Sequence, residues 1–109
     1  MRNLKLHMYI FDTYGEEPEF RHDVIIAKET PQNYRMLSGD RVGYLLNKAD
    51  EGQVFSMSYC AKAVYFSDGE NLKKAKRLFA KHYKVQVDAL QRQIDDVKSR
   101  AKLVEEFTE

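Results

Sequence analysis

The chain has one cysteine, Cys60, in 109 residues, which excludes an intramolecular disulfide and fits a reducing compartment, with the cytoplasm as the expected location. No apolar run approaches the ~20 residues a membrane-crossing helix needs. The first residues, Met1-Arg2-Asn3-Leu4-Lys5-Leu6-His7, alternate polar with apolar and lack the continuous apolar stretch of a signal peptide. Glycine is sparse too: Gly15, Gly39, Gly43, Gly52 and Gly69 are spread one per turn or strand, so no glycine-rich phosphate loop is present. With 18 Lys/Arg against 17 Asp/Glu, the net charge of +1 gives no overall attraction to nucleic acid or to an anionic membrane.

What is present is a folded, aromatic-rich chain. The hydrophobic fraction of 43%, with 7 Tyr and 6 Phe, excludes a disordered tail. Its length is that of one domain.

The first two-thirds reads as strands. Leu4, Leu6, Met8 and Ile10 alternate with Lys5, His7, Tyr9 and Phe11, the period of a half-buried strand. Tyr14 to Pro18 is a turn, and Phe20 to Glu29 resumes as a strand whose Val24-Ile25-Ile26 run predicts a central position. Thr30-Pro31 interrupts the pattern, because proline cannot donate to a ladder. Short strands follow over Tyr34–Leu37 and Val42–Asn47, separated by the Ser38-Gly39-Asp40 turn. After the turn at Asp50-Glu51-Gly52, residues 53–67 predict either one long strand bent or bulged near Cys60, or two strands at a corner. Five or six short strands with tight turns imply a small curled antiparallel sheet or an SH3-like barrel over residues 3–67.

Ser67-Asp68-Gly69-Glu70 changes the regime. Ser67 with Glu70 forms the sequence pattern of a capping box, and Asp68 suits the positive end of a helix. From Glu70 onward there is neither Gly nor Pro. Leu72, Ala75, Phe79, Tyr83, Val87, Leu90, Ile94, Val97, Ala101 and Val104 fall within about 60° of one line on a helical wheel. The expectation is therefore an α+β protein: a β domain over 1–67, then one helix over 68–106 within a C-terminal segment of 68–109. A helix of that length spans roughly 55 Å, against a diameter of roughly 28 Å for a 67-residue globule. The stripe from Val87 to Val104 (Val87, Leu90, Ile94, Val97, Ala101, Val104) then needs another surface, and its 3-4 spacing is that of an a/d seam. A homodimer through this helix, or docking of a partner protein, is the expectation.

Chemistry-bearing constellations are scarce. His7, His22 and His82 have no second ligand at helical spacing and Cys60 has no second cysteine, so no metal and no cofactor is expected, and no catalytic residues are assigned. No serine sits in a nucleophile-elbow setting. Asp95-Asp96 and Glu105-Glu106 lie beside Arg92, Lys98, Arg100 and Lys102, and Asp96–Arg100 and Lys102–Glu106 are expected as i,i+4 ion pairs of a solvated face. Two binding patches are candidates. Lys73, Lys74, Arg77, Lys81 and Lys84 share a basic helix sector that could meet phosphates or an acidic protein, although without interleaved aromatics nucleic-acid binding would be weak and sequence-blind. Tyr34, Arg35, Arg41 and Tyr44 flank the Ser38-Gly39 turn and have hot-spot composition.

The order of features (Lys28-Glu29-Thr30-Pro31-Gln32-Asn33-Tyr34-Arg35, then Asp50-Glu51-Gly52-Gln53-Val54-Phe55, then a capped Lys-rich helix) resembles small accessory proteins of phages and bacterial mobile elements. That resemblance implies a barrel-plus-helix protein that binds and blocks a host or defence protein stoichiometrically. The expected function is a non-enzymatic protein-binding module in the cytoplasm, the host's if phage-encoded. A nucleic-acid-binding accessory protein, or a self-assembling scaffold, is the alternative.

Overall fold

A computed structural model describes residues 3–108. Six strands form one antiparallel sheet: β1 (Asn3–Asp12), β2 (Glu19–Glu29), β3 (Asn33–Met36), β4 (Leu45–Asn47), β5 (Phe55–Ser58) and β6 (Ala61–Phe66). Their spatial order is β4-β3-β2-β1-β6-β5, so β4 and β5 are the edges. One helix, α1 (Leu72–Glu105), follows. The α+β class is as expected, and the sheet takes the curled antiparallel form, a half-barrel. The chain divides into two compact units between Leu78 and Phe79.

The alternation in β1 sets the two faces. Leu6, Met8 and Ile10 point inward with Ile25 and Ala27 of β2, Tyr34 and Met36 of β3, Leu46 of β4, Met57 of β5, and Ala61, Ala63 and Tyr65 of β6. The sheet must curl to gather them. Tyr34 and Tyr65 belong to strands three places apart in the order, and three spacings of about 4.8 Å would hold them roughly 14 Å apart on a flat sheet. Their ring centroids are instead 5.9 Å apart, edge to face. The Tyr65 hydroxyl donates to the Asn47 carbonyl of β4, tying the two halves of the curl.

On the outer face Tyr9, Val64 and Phe66 are buried, while the start of α1 reaches the same rings. The Asn71 N–H donates to the Tyr9 hydroxyl at 2.9 Å, the Lys74 ammonium stands 5.5 Å above the Phe66 ring, and Ala75 is fully buried. β2 is interior, as its apolar run implies, yet Val24 and Ile26 on its outer face remain exposed.

Three local expectations are corrected. The helix starts at Leu72 because Asn71 is its cap, its side-chain oxygen accepting from the Lys74 N–H. Ser67 is engaged elsewhere, donating through both N–H and hydroxyl to one Glu51 carboxylate oxygen. The strand expected from Val42 begins only at Leu45, since Gly43 takes φ +89° and closes a turn with its N–H on the Met36 carbonyl. Residues 53–67 form a hairpin, β5 pairing directly with β6 around Tyr59-Cys60, with a register irregularity between Ser56 and Ser58.

Candidate functional site

The distal helix carries a continuous stripe of unburied apolar side chains. Val87, Leu90, Ile94, Val97 and Val104 are each 47–77% exposed, and Ala101 between them is exposed as well. Leu90, Ile94 and Val97 with Gln93 and Lys98 line a shallow apolar groove along this face. With Val87, Ile94 and Ala101 as a positions, Leu90, Val97 and Val104 are the d positions. Arg100 then falls at g and Glu105 at e, flanking the seam with opposite charges. The expected Asp96–Arg100 and Lys102–Glu106 pairs both form, at 2.9 and 3.9 Å.

The basic sector is less uniform than its wheel suggested. Lys73, Arg77, Lys81 and Lys84 are exposed, but Lys74 is half-buried and committed to the Phe66 ring. Four exposed cations remain on that sector, well suited to solvation.

The turn patch is not one surface. Tyr34 points into the core, packed against Tyr65, while its neighbour Arg35 points to solvent, because successive strand residues take opposite faces. Tyr44 packs half-buried against the core, and Arg41 lines a cleft of about 260 Å³ instead. That cleft has Met8, Met36 and Met57 along its wall, with Asp12, Arg21 and Arg41 among its charged groups. Arg21 bridges Asp12 at 3.3 Å and Asp23 at 3.2 Å. The Tyr14 N–H, followed by Arg21, holds the Asp12 carboxyl below its ordinary value. Burial works against the Arg21 charge, but its two carboxylate partners outweigh it and raise its pKa. The Tyr14 and Tyr59 side chains stand exposed on the two turns at this end of the sheet, which the Thr13 N–H joins to the Cys60 carbonyl.

One grouping escaped the sequence. His7 and His22 lie diagonally across the β1–β2 ladder on the outer face, since Val24 is the partner of His7 and Tyr9 that of His22. His7 Nδ1 and His22 Nε2 are 3.0 Å apart. One ligand atom from each histidine and a Glu70 carboxylate oxygen all fall within 4.8 Å of one another. Tyr9 accounts for the placement: its ring stacks on His22 with centroids 4.5 Å apart, and its hydroxyl holds the backbone of Asn71, next to Glu70. The register of two strands was the missing signal.

Among the described residues, no helix is long and apolar enough to cross a membrane. No protein family, curated protein or solved structure matches this chain, so its own geometry carries the functional argument.

Proposed function

We propose that this chain is a non-enzymatic protein-binding module that works as a helix-paired dimer, a second copy occupying its distal seam. The observation that carries the reading is the run of six exposed seam residues from Val87 to Val104. Apolar strips of a few hundred Å² on a soluble surface usually mark an interface. Several features favour a like partner in parallel. Val87 and Ile94 at a with Leu90 at d is the pattern of two-stranded coils, and a parallel register sets Arg100 of one copy against Glu105 of the other. The charged side chains of the cleft support a binding role over a reactive one, since Arg21 is spent on Asp12 and Asp23. The resemblance to phage accessory proteins supplies the class of external target, a host or defence protein complex held by stoichiometric binding.

The test is cysteine cross-linking in a Cys60→Ser background. Val97→Cys, at a d position, should oxidise to a disulfide-linked dimer at micromolar protein, because parallel d positions face their own counterparts. A cysteine at exposed Ser99, an f position, should not. Equal cross-linking at both positions, or at neither, would remove the parallel pairing.

A further inference from the structure

We propose that His7, His22 and Glu70 form a binding site for a divalent transition metal of the zinc class, on the outer face of the sheet. The donor set is two imidazoles and a carboxylate, the chemistry that borderline cations such as zinc select. The geometry is close to what a metal requires. Tetrahedral zinc with Zn–N bonds of about 2.0–2.1 Å holds two nitrogens roughly 3.3–3.4 Å apart. His7 Nδ1 and His22 Nε2, at 3.0 Å, need to open by only a few tenths of an ångström. Without metal the two rings share one hydrogen, one nitrogen donating and the other accepting. A metal taking the lone pairs of both facing nitrogens requires the donating ring's proton to move, through solvent, to its other nitrogen. The two ring N–H groups are then His7 Nε2–H and His22 Nδ1–H. Glu70 is exposed, so its side chain is free to close the third bond within the 4.8 Å envelope.

The site has built support. Tyr9 is buried on this face, stacks on the His22 ring, and through its hydroxyl anchors the backbone one residue beyond Glu70. Orienting contacts of this kind outside the ligands tune metal affinity. Three protein ligands leave a fourth position open to water or to a donor atom from another molecule. Beside His7 the surface is an open depression bordered by Lys5, Ser67 and Asp68, which gives that position access to solvent. This site is separate from the helix seam and stands or falls without it.

Zinc chloride titrated into the tag-free 109-residue chain by calorimetry should show one zinc per chain. Glu70→Gln and His22→Ala should each weaken binding by more than about tenfold, since even outer-shell partners of metal ligands cost 10–100-fold. His82→Ala and Cys60→Ser should leave it unchanged. Far-UV circular dichroism checks that the variants fold, and Glu70, exposed in the link before α1, can change without touching the core. Independently of any variant, the imidazole proton resonances of His7 and His22 should shift together on adding zinc to the wild-type protein. Absence of zinc uptake at micromolar metal would overturn the proposal, as would binding that survives both ligand substitutions, or resonance shifts confined to His82.

Discussion

Replacing Leu90 and Ile94 together by aspartate strikes the middle of the distal seam. In the single chain these side chains are 57% and 47% exposed, so roughly half of each remains to be buried on pairing. Full burial of a Leu or Ile contributes ~2 kcal/mol, which leaves about 1 kcal/mol per side chain for the association. A dimer contains four such side chains, so the double substitution removes about 4 kcal/mol, on the order of a thousandfold in Kd. Placing four like charges in the seam adds repulsion to that loss. Within the chain the cost is local. Aspartate is a weaker helix former than leucine by a few tenths of a kcal/mol, and neither position contributes to the buried core of the sheet. Sedimentation equilibrium should show concentration-dependent dimer for the wild type and monomer for the double variant, with unchanged β-sheet circular dichroism. A wild-type chain that remains monomeric at high micromolar concentration refutes the reasoning. So does a double variant that still dimerises with wild-type affinity.

Three further outcomes test the sheet. Gly39 holds φ +87° and a Cβ there would lie 2.8 Å from Ile25 Cδ1, so Gly39→Ala should destabilise the protein by about 1–2 kcal/mol in urea unfolding. Tyr65→Phe deletes the hydroxyl bond to Asn47 and should cost about 1 kcal/mol. Burial, then the charge of Glu51, raises the Tyr65 phenol above its ordinary value of 10.0. Its share of stability is therefore complete below pH 10 and lost as the pH climbs toward the folded pKa, a loss that alkaline titration of Tyr65→Phe should lack. Asp12 is the converse case: its pKa lies below the ordinary 3.8, so its contribution is present above that pH and disappears as the pH falls through the lower folded value. Acid unfolding of Asp12→Asn should accordingly begin from a less stable protein and depend less steeply on pH.

How much of this was legible follows from the range of each signal. The inward set Leu6, Met8 and Ile10 and the seam from Val87 to Val104 repeat with the period of their own element, so residues a few positions apart disclose them. Local competition was harder to read. Ser67 and Glu70 carry a capping pattern, but Glu51, sixteen residues earlier, takes both Ser67 donors, and Asn71 becomes the cap. Tyr34 and Arg35 are adjacent in sequence and share interface-like chemistry, yet one fills the curl of the sheet and the other faces water. Alternation foretold opposite faces for that pair; which face closed into the core depended on the curl.

The histidines show where a single chain's pattern stops. His7 and His22 are fifteen residues apart with no periodic relation, and their meeting depends on pairing His7 with Val24. Slipping that register by one residue would turn His22 to the inner face beside Leu6 and Met8 and carry Ile25 out to the other, because strand side chains alternate strictly. The register is fixed instead by burial on the other side of the same strands, where Leu6 meets Ile25 and Leu4 meets Ala27. The apolar inner face, legible in the sequence, thus sets the geometry of polar groups on the outer one. Glu70 joins them because Tyr9, buried on that outer face, reaches Asn71. Tyr9→Phe should therefore keep the His7–His22 pair, whose register it does not set, and loosen Glu70. Zinc affinity would fall by a smaller factor than in Glu70→Gln, and a Tyr9→Phe protein binding zinc as tightly as wild type would show that Glu70 is placed by something other than this hydroxyl.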